Sequence, residues 1–301
     1  MRVIITGGSG LIGQTTTDLL AKAGHEVVVL SRTPDKLTAR GLPHGARAQG
    51  WDAKSGEGWF ELVNANTVIV NLAGENIAHW RWTKKHKEKV VESRMAAARA
   101  VVDAIRRSRR TPRLVIQASA VGYYGDRGDE ELTEFSSAGE GFLAELCKQW
   151  EKAIPVAVPG RRVFARFGVV LSRAGGAFPK LLMNSRLGVG NLGPGRQWLP
   201  WVHEHDVASA IRFLMLNDII SGPFNVVAPE AVTTREFMRQ LARARGVPAP
   251  LPAPAFALKL GMGEMSHMLL DSQRVVPRKL LDNEFEFRYD SLDDALKALM
   301  A

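Results

Sequence analysis

Gly7, Gly10 and Gly13 stand at even spacing directly after the apolar, β-branched run Val3-Ile4-Ile5. Leu11, Ile12, Leu19 and Leu20 then recur at helical spacing as far as Gly24, a helix stop. A buried strand, a glycine turn and a helix in that order make a cradle for a diphosphate. Glycine lets the backbone turn tightly and approach the phosphates, and the helix start offers unpaired N–H groups with a partial positive charge. Gly7, Ser9, Gly10, Leu11, Ile12 and Gly13 are the residues expected to line it; the competing reading is a plain structural turn. The second strand, Glu26 to Arg32, ends in Ser31-Arg32. NAD-binding units carry an Asp or Glu there, about 20 residues past the glycines. A carboxylate would repel a 2′-phosphate, whereas a guanidinium beside a hydroxyl binds one. The expected cofactor is therefore NADP(H), selected by Ser31 and Arg32, against the alternative that Arg32 is a solvated loop cation.

Strands and helices alternate beyond this unit. Thr67 to Leu72, Arg113 to Ser119 and Arg162 to Phe167 read as buried strands, and residues 83–107 and 140–153 as helices. That alternation predicts an α/β fold, a doubly wound parallel sheet with helices on both faces. Ser31, Leu72-Ala73-Gly74, Ser119 and Phe167-Gly168 then all fall at carboxyl ends of strands, on one rim, where ligands bind in such sheets. After Gly168 the pattern loosens. Residues 1–230 are expected to form the dinucleotide-binding domain, with 172–202 contributing to a substrate lobe. Val247 to Pro254 alternates prolines and reads as an extended connector. Residues 250–301 are too few to bury a robust core alone. They are expected to close over the nicotinamide end as a small C-terminal lid lobe, with Phe256, Leu258, Leu260, Met262, Leu269 and Leu270 requiring a partner surface.

The 301 residues are 46% hydrophobic and 24% charged, ordinary for a globular chain. There is no apolar stretch of about 18 residues, so no membrane span is expected. The N-terminus runs straight into a strand, so no leader is expected. Cys147 is the only cysteine, which rules out an internal disulfide and a cysteine metal site and fits a reducing, cytoplasmic setting. The net charge is +9, part of it in Arg106-Arg107-Ser108-Arg109-Arg110 and Arg113. No aromatic residues interleave with this run as stacking platforms, so it reads as a solvated helix end, and no nucleic-acid partner is expected.

Thr6-Gly7-Gly8-Ser9-Gly10-Leu11-Ile12-Gly13, Asn71-Leu-Ala-Gly74, Ser119 and Trp201-Val-His-Glu-His-Asp206 together resemble an extended short-chain dehydrogenase/reductase. Asn71 to Ile77, Arg81-Trp82-Thr83, Glu92-Ser-Arg94, Gly122-Tyr-Tyr-Gly125, Gly168 to Leu171, Gly193 to Gln197 and Gln273 to Pro277 resemble its YfcH-type epimerase branch, almost end to end. The resemblance implies a Rossmann fold, NADP(H) binding and a family-specific C-terminal segment, and leaves a homodimer open. It adds Leu72, Ala73, Gly74, Glu75, Lys89, Arg94 and Val170 to the cofactor-binding candidates. Arg94 is the candidate phosphate clamp and Lys89 the weaker one. Glu75 is weighed as an acid, a base or a helix cap.

In that superfamily a Tyr and a Lys four residues later act as the proton shuttle. The three tyrosines here are followed at that spacing by Arg127, Gly128 and Asp293, so no Tyr-x-x-x-Lys exists. With Glu151 aligned to the usual helix glutamate, Leu143 and Cys147 occupy the Tyr and Lys positions; the neighbouring register gives Ala144 and Lys148. Ser119 matches the family's catalytic serine and otherwise caps the strand turn. Tyr123 and Tyr124 are replacement acids or packing residues. Cys147 reads as buried filler unless its thiol reaches the cleft. His203 and His205 alternate but lack a third metal ligand. Trp80, Trp82, Trp198 and Trp201 are candidates for a pocket lining or for simple packing. Two functions stand: an NADP-dependent oxidoreductase or epimerase acting on a small polar substrate, or a catalytically silent NADPH-binding sensor or scaffold with a protein partner.

Overall fold

The computed structural model describes residues 1–78, 81–158, 160–186, 188–248 and 251–301. Trp80 and positions 249–250 of the proline connector lie outside them. Seven strands form the central sheet: β1 (Arg2–Thr6), β2 (Glu26–Ser31), β3 (Ala46–Gly50), β4 (Thr67–Asn71), β5 (Leu114–Ala120), β7 (Arg161–Phe167) and β12 (Gly222–Val226). Their order is β12-β7-β5-β4-β1-β2-β3, and every pairing is parallel. The order reverses at β1, which puts a crevice at the carboxyl end of that strand.

Alternation along β1 divides the core. Val3 and Ile5 face one side, in a cluster with Val207, Ala210, Ile211 and Leu214 of α6 (Glu204–Leu216). Ile4 faces the other side with Val28, Ile69 and Val115, against Ala98, Val101, Ala104 and Ile105 of α3 (Lys84–Ser108). Burial on both faces is what made these strands continuous apolar runs. α1 (Leu11–Lys22) follows the glycine turn and α2 (Pro34–Ala39) follows β2. Arg109 ends α3 in the left-handed conformation, with Arg106 and Arg107 in the last turn, a favourable place for cations. Among the described residues no helix is long and apolar enough to cross a membrane.

A lobe follows β7. Its core joins Phe178 and Leu181 of α5 (Phe178–Arg186), Phe237 and Leu241 of α7 (Thr234–Ala244), and Leu292, Leu296 and Leu299 of α11 (Leu292–Met300). Four short two-stranded pairings tie it together. β8 (Val169–Leu171) runs parallel to β11 (Trp201–His203), and β10 (Trp198–Leu199) antiparallel to β13 (Val232–Thr233). β9 (Val189–Leu192) runs parallel to β14 (Leu251–Ala253), and β6 (Glu131–Leu132) to β15 (Arg274–Val275). The connector is therefore not free: its described part supplies β14.

The C-terminal segment makes no core of its own. Leu280 of α10 (Arg278–Asp282) and Phe285 join the central core, whereas α11 joins the lobe. Leu258 and Leu269 pack on the lobe core, as their hydrophobicity requires. Phe256 and Leu260 do not find the expected surface: on α8 (Ala255–Met262) they are 73% and 76% exposed.

Candidate functional site

The glycines of the cradle have different tasks. Gly7 turns at φ +68°, and a Cβ there would lie 2.8 Å from the Leu72 backbone. At Gly13 a Cβ would meet the Gly7 carbonyl at 2.4 Å and the Gly8 Cα at 2.5 Å, so this glycine lets α1 close onto the turn. Gly10, the N-cap of α1, is crowded only by the Gly7 oxygen, at 3.2 Å. Ser9 and Gly10 are exposed, Leu11 and Ile12 half-buried, and the first turn of α1 holds no acidic side chain. The helix start is therefore open, with no carboxylate in its own first turn to repel an anion.

A buried polar ladder fixes the rim beside the cradle. Thr6 Oγ1 donates to Asn71 Oδ1 at 2.5 Å, Asn71 Nδ2 to Gln117 Oε1 at 2.8 Å, and the Ala73 amide to Thr6 Oγ1 at 3.2 Å. The ends of β1, β4 and β5 are thereby held in register, with Leu72 and Ala73 half-buried and Gly74 exposed beyond them. The segment after β4 is stapled to α3: the Glu75 amide donates to Ser93 Oγ at 2.9 Å, and Arg94 Nη1 donates to the Glu75 carbonyl at 3.0 Å. Arg94 is 9% exposed, and its guanidinium lies over the Trp150 ring at 4.7 Å. Burial pulls it down to about 10. At the end of β2, Ser31 Oγ accepts from the Thr33 amide at 3.1 Å, and Arg32 is exposed. Lys89 is exposed on α3, whereas Val170, in β8, is half-buried and packs against the central core.

The catalytic candidates prove less accessible than their rim position suggested. Ser119 is 2% exposed, and its hydroxyl donates to Glu151 Oε1 at 2.7 Å. Glu151, on α4 (Phe142–Lys152), is gripped by Arg166, Nε to Oε1 at 2.8 Å and Nη2 to Oε2 at 2.9 Å. Arg166 Nη1 donates to the Tyr124 hydroxyl at 2.9 Å, and that hydroxyl donates to Asn225 Oδ1 at 2.7 Å. Tyr124 is fully buried, and burial pushes its hydroxyl up to about 12; of its two readings, replacement acid or packing residue, this position fits packing. Tyr123 is half-buried with the Arg166 guanidinium over its ring at 3.5 Å. The Cys147 thiol is buried and burial raises it to about 11, the state of an inert filler.

Beyond the end of β5 lies a cavity of about 730 Å³. Trp82 lines it from the segment after β4, Gly125 to Arg127 from the loop after β5, and Ala138 to Leu143 from the start of α4. Glu264, His267 and Asp271 close it from the C-terminal segment. Leu143, in the register of the absent tyrosine, faces this cavity. Asp126 Oδ1 accepts from the Ser272 amide at 3.0 Å, and Gln273 Nε2 donates to the Gly125 carbonyl at 3.0 Å, so the C-terminal segment is fastened to the loop after β5. Burial raises the Asp271 carboxyl despite its contact with His267 Nδ1 at 2.7 Å. Of the other tryptophans, Trp201 packs with 1% exposure, and Trp198 Nε1 donates to Asp129 at 2.8 Å. His203 caps α6 by accepting the His205 amide at 3.1 Å. Sequence reasoning missed the acidic and histidine lining because it comes from distant segments with no shared motif.

A model of the NAD dependent epimerase/dehydratase family matches residues 3–227 of this architecture. The chain belongs to that family. A domain of unknown function, DUF1731, matches residues 253–299. The chain is 38% identical over 305 residues to epimerase family protein YfhF of Bacillus subtilis (strain 168), covering 100% of this chain and 98% of that protein. It is 36% identical over 309 residues to the Mus musculus epimerase family protein SDR39U1, covering 100% of both. The crystal structure of human epimerase family protein SDR39U1 (isoform 2) with NADPH superposes with a TM-score of 0.88 at 33% identity, over 99% of each chain.

Proposed function

We propose that the protein binds NADPH across the crevice at β1 and works as an oxidoreductase or epimerase on a small polar substrate held in the cavity beyond β5. The observation that carries this is the cradle. A Cβ at Gly10 would meet only the Gly7 carbonyl oxygen, at 3.2 Å, and Gly10 stands at the open start of a helix with no acidic residue in its first turn, which suits close approach of a diphosphate. Arg32 supports the choice of NADPH, since it is exposed at the strand end where a carboxylate would exclude a 2′-phosphate. The NADPH in the human SDR39U1 crystal structure supports the same reading. Gly7, Ser9, Gly10, Leu11, Ile12 and Gly13 would hold the diphosphate, and Ser31 and Arg32 the 2′-phosphate. Leu72 to Glu75, Arg94 and Val170 would line the remainder. Bound NADPH would supply a hydride. Isothermal titration with NADPH and NADH tests the reading; equal or tighter binding of NADH sinks it.

The second reading, a silent NADPH-holding module with a protein partner, draws on the cavity itself. Leu143 faces it where a tyrosine is absent, and Ser119 has its proton committed to Glu151. A metabolite screen following NADPH absorbance separates the two. Turnover supports the enzyme; tight cofactor binding without turnover, together with a specific partner in pull-down, supports the module.

A further inference from the structure

Arg162, Phe164 and Arg166 alternate along β7 on the side of the sheet that α4 packs against, while Val163, Ala165 and Phe167 join the core shared with α6. α4 covers only one of the three. Arg166 is 3% exposed, whereas Arg162 and Phe164 are half-buried. Where α4 ends, a groove of about 500 Å³ is left open, and it shares no lining residue with the cavity beyond β5. Phe164, Tyr123, Pro155 and Val156 give it an apolar wall, the last of them 84% exposed. Lys148, Glu151 and Lys152 enter it from one face of α4.

The cations of this groove outnumber their partners. Glu151, the one carboxylate among its lining residues, has both oxygens taken by Arg166, and Lys148 Nζ is held by Glu145 at 2.7 Å. Lys152 and Arg162 make no hydrogen bond or ion pair among the described residues, and Arg162 Nε is buried without a partner. A buried N–H left unpaired on a cation is costly, and the free edge of a guanidinium matches the two oxygens of a carboxylate. Beside an apolar wall, the complement of two unpaired cations is an anion with an apolar body. We infer that this groove, away from the crevice at β1, is a second binding site and takes a small apolar carboxylate. Arg162 and Lys152 hold the carboxylate, and its chain or ring lies along Phe164, Pro155 and Val156.

Isothermal titration on the full chain compares octanoate, an aliphatic carboxylate, and naphthoate, an aromatic one, with octanol and inorganic phosphate. At least one carboxylate should bind roughly tenfold or more tighter than octanol and phosphate, and the better of the two tells a chain from a ring. Arg162→Gln should weaken that carboxylate roughly tenfold or more, the range for a lost charge-assisted hydrogen bond. Val156→Asp alters a solvent-facing side chain and should weaken it by a similar factor, through repulsion and lost apolar contact. It carries the comparison if Arg162→Gln does not fold. Binding of neither carboxylate overturns the assignment. So does phosphate bound as tightly as the carboxylate, which would leave only an anion site, or octanol bound as tightly, which would leave only an apolar one. Full carboxylate affinity in the variants also overturns it, because the ligand then sits elsewhere. Carboxylate binding does not depend on NADPH, so this assignment and the NADPH reading stand or fall separately.

Discussion

The Ser119 hydroxyl and the Glu151 carboxylate are joined at 2.7 Å, and the same carboxylate oxygen receives Arg166 Nε at 2.8 Å. A serine at the carboxyl end of a rim strand thus spends its proton inward. Glu151 is the centre of a buried network that runs from β5 through α4 to β7 and, by way of Tyr124, to Asn225 on β12. The network locks together strands that the sheet's own hydrogen bonds already align, and it leaves the cavity without a hydroxyl acid from β5.

Breaking this network should cost stability before it costs binding. The Arg166 side chain is 3% exposed and that of Glu151 13%. Glu151→Gln leaves a buried guanidinium short of its partner, and urea unfolding should show a loss of about 3 kcal/mol or more. Ser119→Ala removes one hydrogen bond and should cost about 1 kcal/mol. NADPH affinity should stay within about twofold in Ser119→Ala. A larger loss there would put the Ser119 side chain in contact with the cofactor.

Arg32→Ala should weaken NADPH roughly ten- to hundredfold while NADH changes by less than twofold, because only the phosphorylated ribose presents a dianion to the guanidinium. The contrast disappears at high salt, since Arg32 is exposed and screened. Titration of both cofactors at two ionic strengths checks it; loss of both cofactors together would mean that Arg32 supports the loop rather than the phosphate.

Gly10 and Gly13 should fail differently. A methyl group at Gly13 drives into backbone at 2.4 and 2.5 Å, which cannot move aside without shifting the turn. Gly13→Ala should lower the thermal midpoint by several degrees, as small-to-large changes in packed sites cost about 1–3 kcal/mol. At Gly10 only the Gly7 oxygen must give way, from 3.2 Å. Gly10→Ala should therefore fold with near-native stability and lose roughly tenfold or more in NADPH affinity, through the space the diphosphate needs. Calorimetric melting and cofactor titration on the two variants decide this.

The first strand, turn and helix were legible because their signal is local: glycine spacing and β-branched runs specify the backbone within a few residues. The cavity was not. Asp126 meets Glu264, His267 and Asp271 where Ser272 and Gln273 are bonded to the loop after β5, and Asp126 and Ser272 are 146 residues apart in sequence. The role of Tyr124 stayed open in the sequence for a similar reason. Glycines around it announce a loop, but the side chain direction within the 3₁₀ turn Val121–Tyr124 is set by Arg166 and Asn225. The prolines near 250 predicted extension correctly in kind, and the structure uses it for a strand at the edge of a small sheet, where Pro252 is tolerated. Phe256 and Leu260 were expected to be covered from hydrophobicity alone, which does not by itself require burial.

His203 makes stability depend on acid. Its ring lies 4.0 Å from that of Tyr289, and its Nδ1 accepts the His205 amide, so the folded protein holds it neutral; burial lowers it to about 4. In the unfolded chain a histidine takes up a proton near pH 6.5. The sign follows: as pH falls below that value the unfolded state binds a proton that the folded state refuses, and stability is lost until the folded value is reached. Between pH 7 and pH 5 this linkage amounts to about 2 kcal/mol. His203→Asn keeps a side-chain acceptor for the His205 amide and removes the titration. Urea unfolding at the two pH values should show the variant less stable than wild type at pH 7, through lost packing on Tyr289, with the gap narrowing by about 2 kcal/mol at pH 5. A gap that stays constant would mean that His203 becomes protonated in the folded protein, and that the acid sensitivity arises elsewhere.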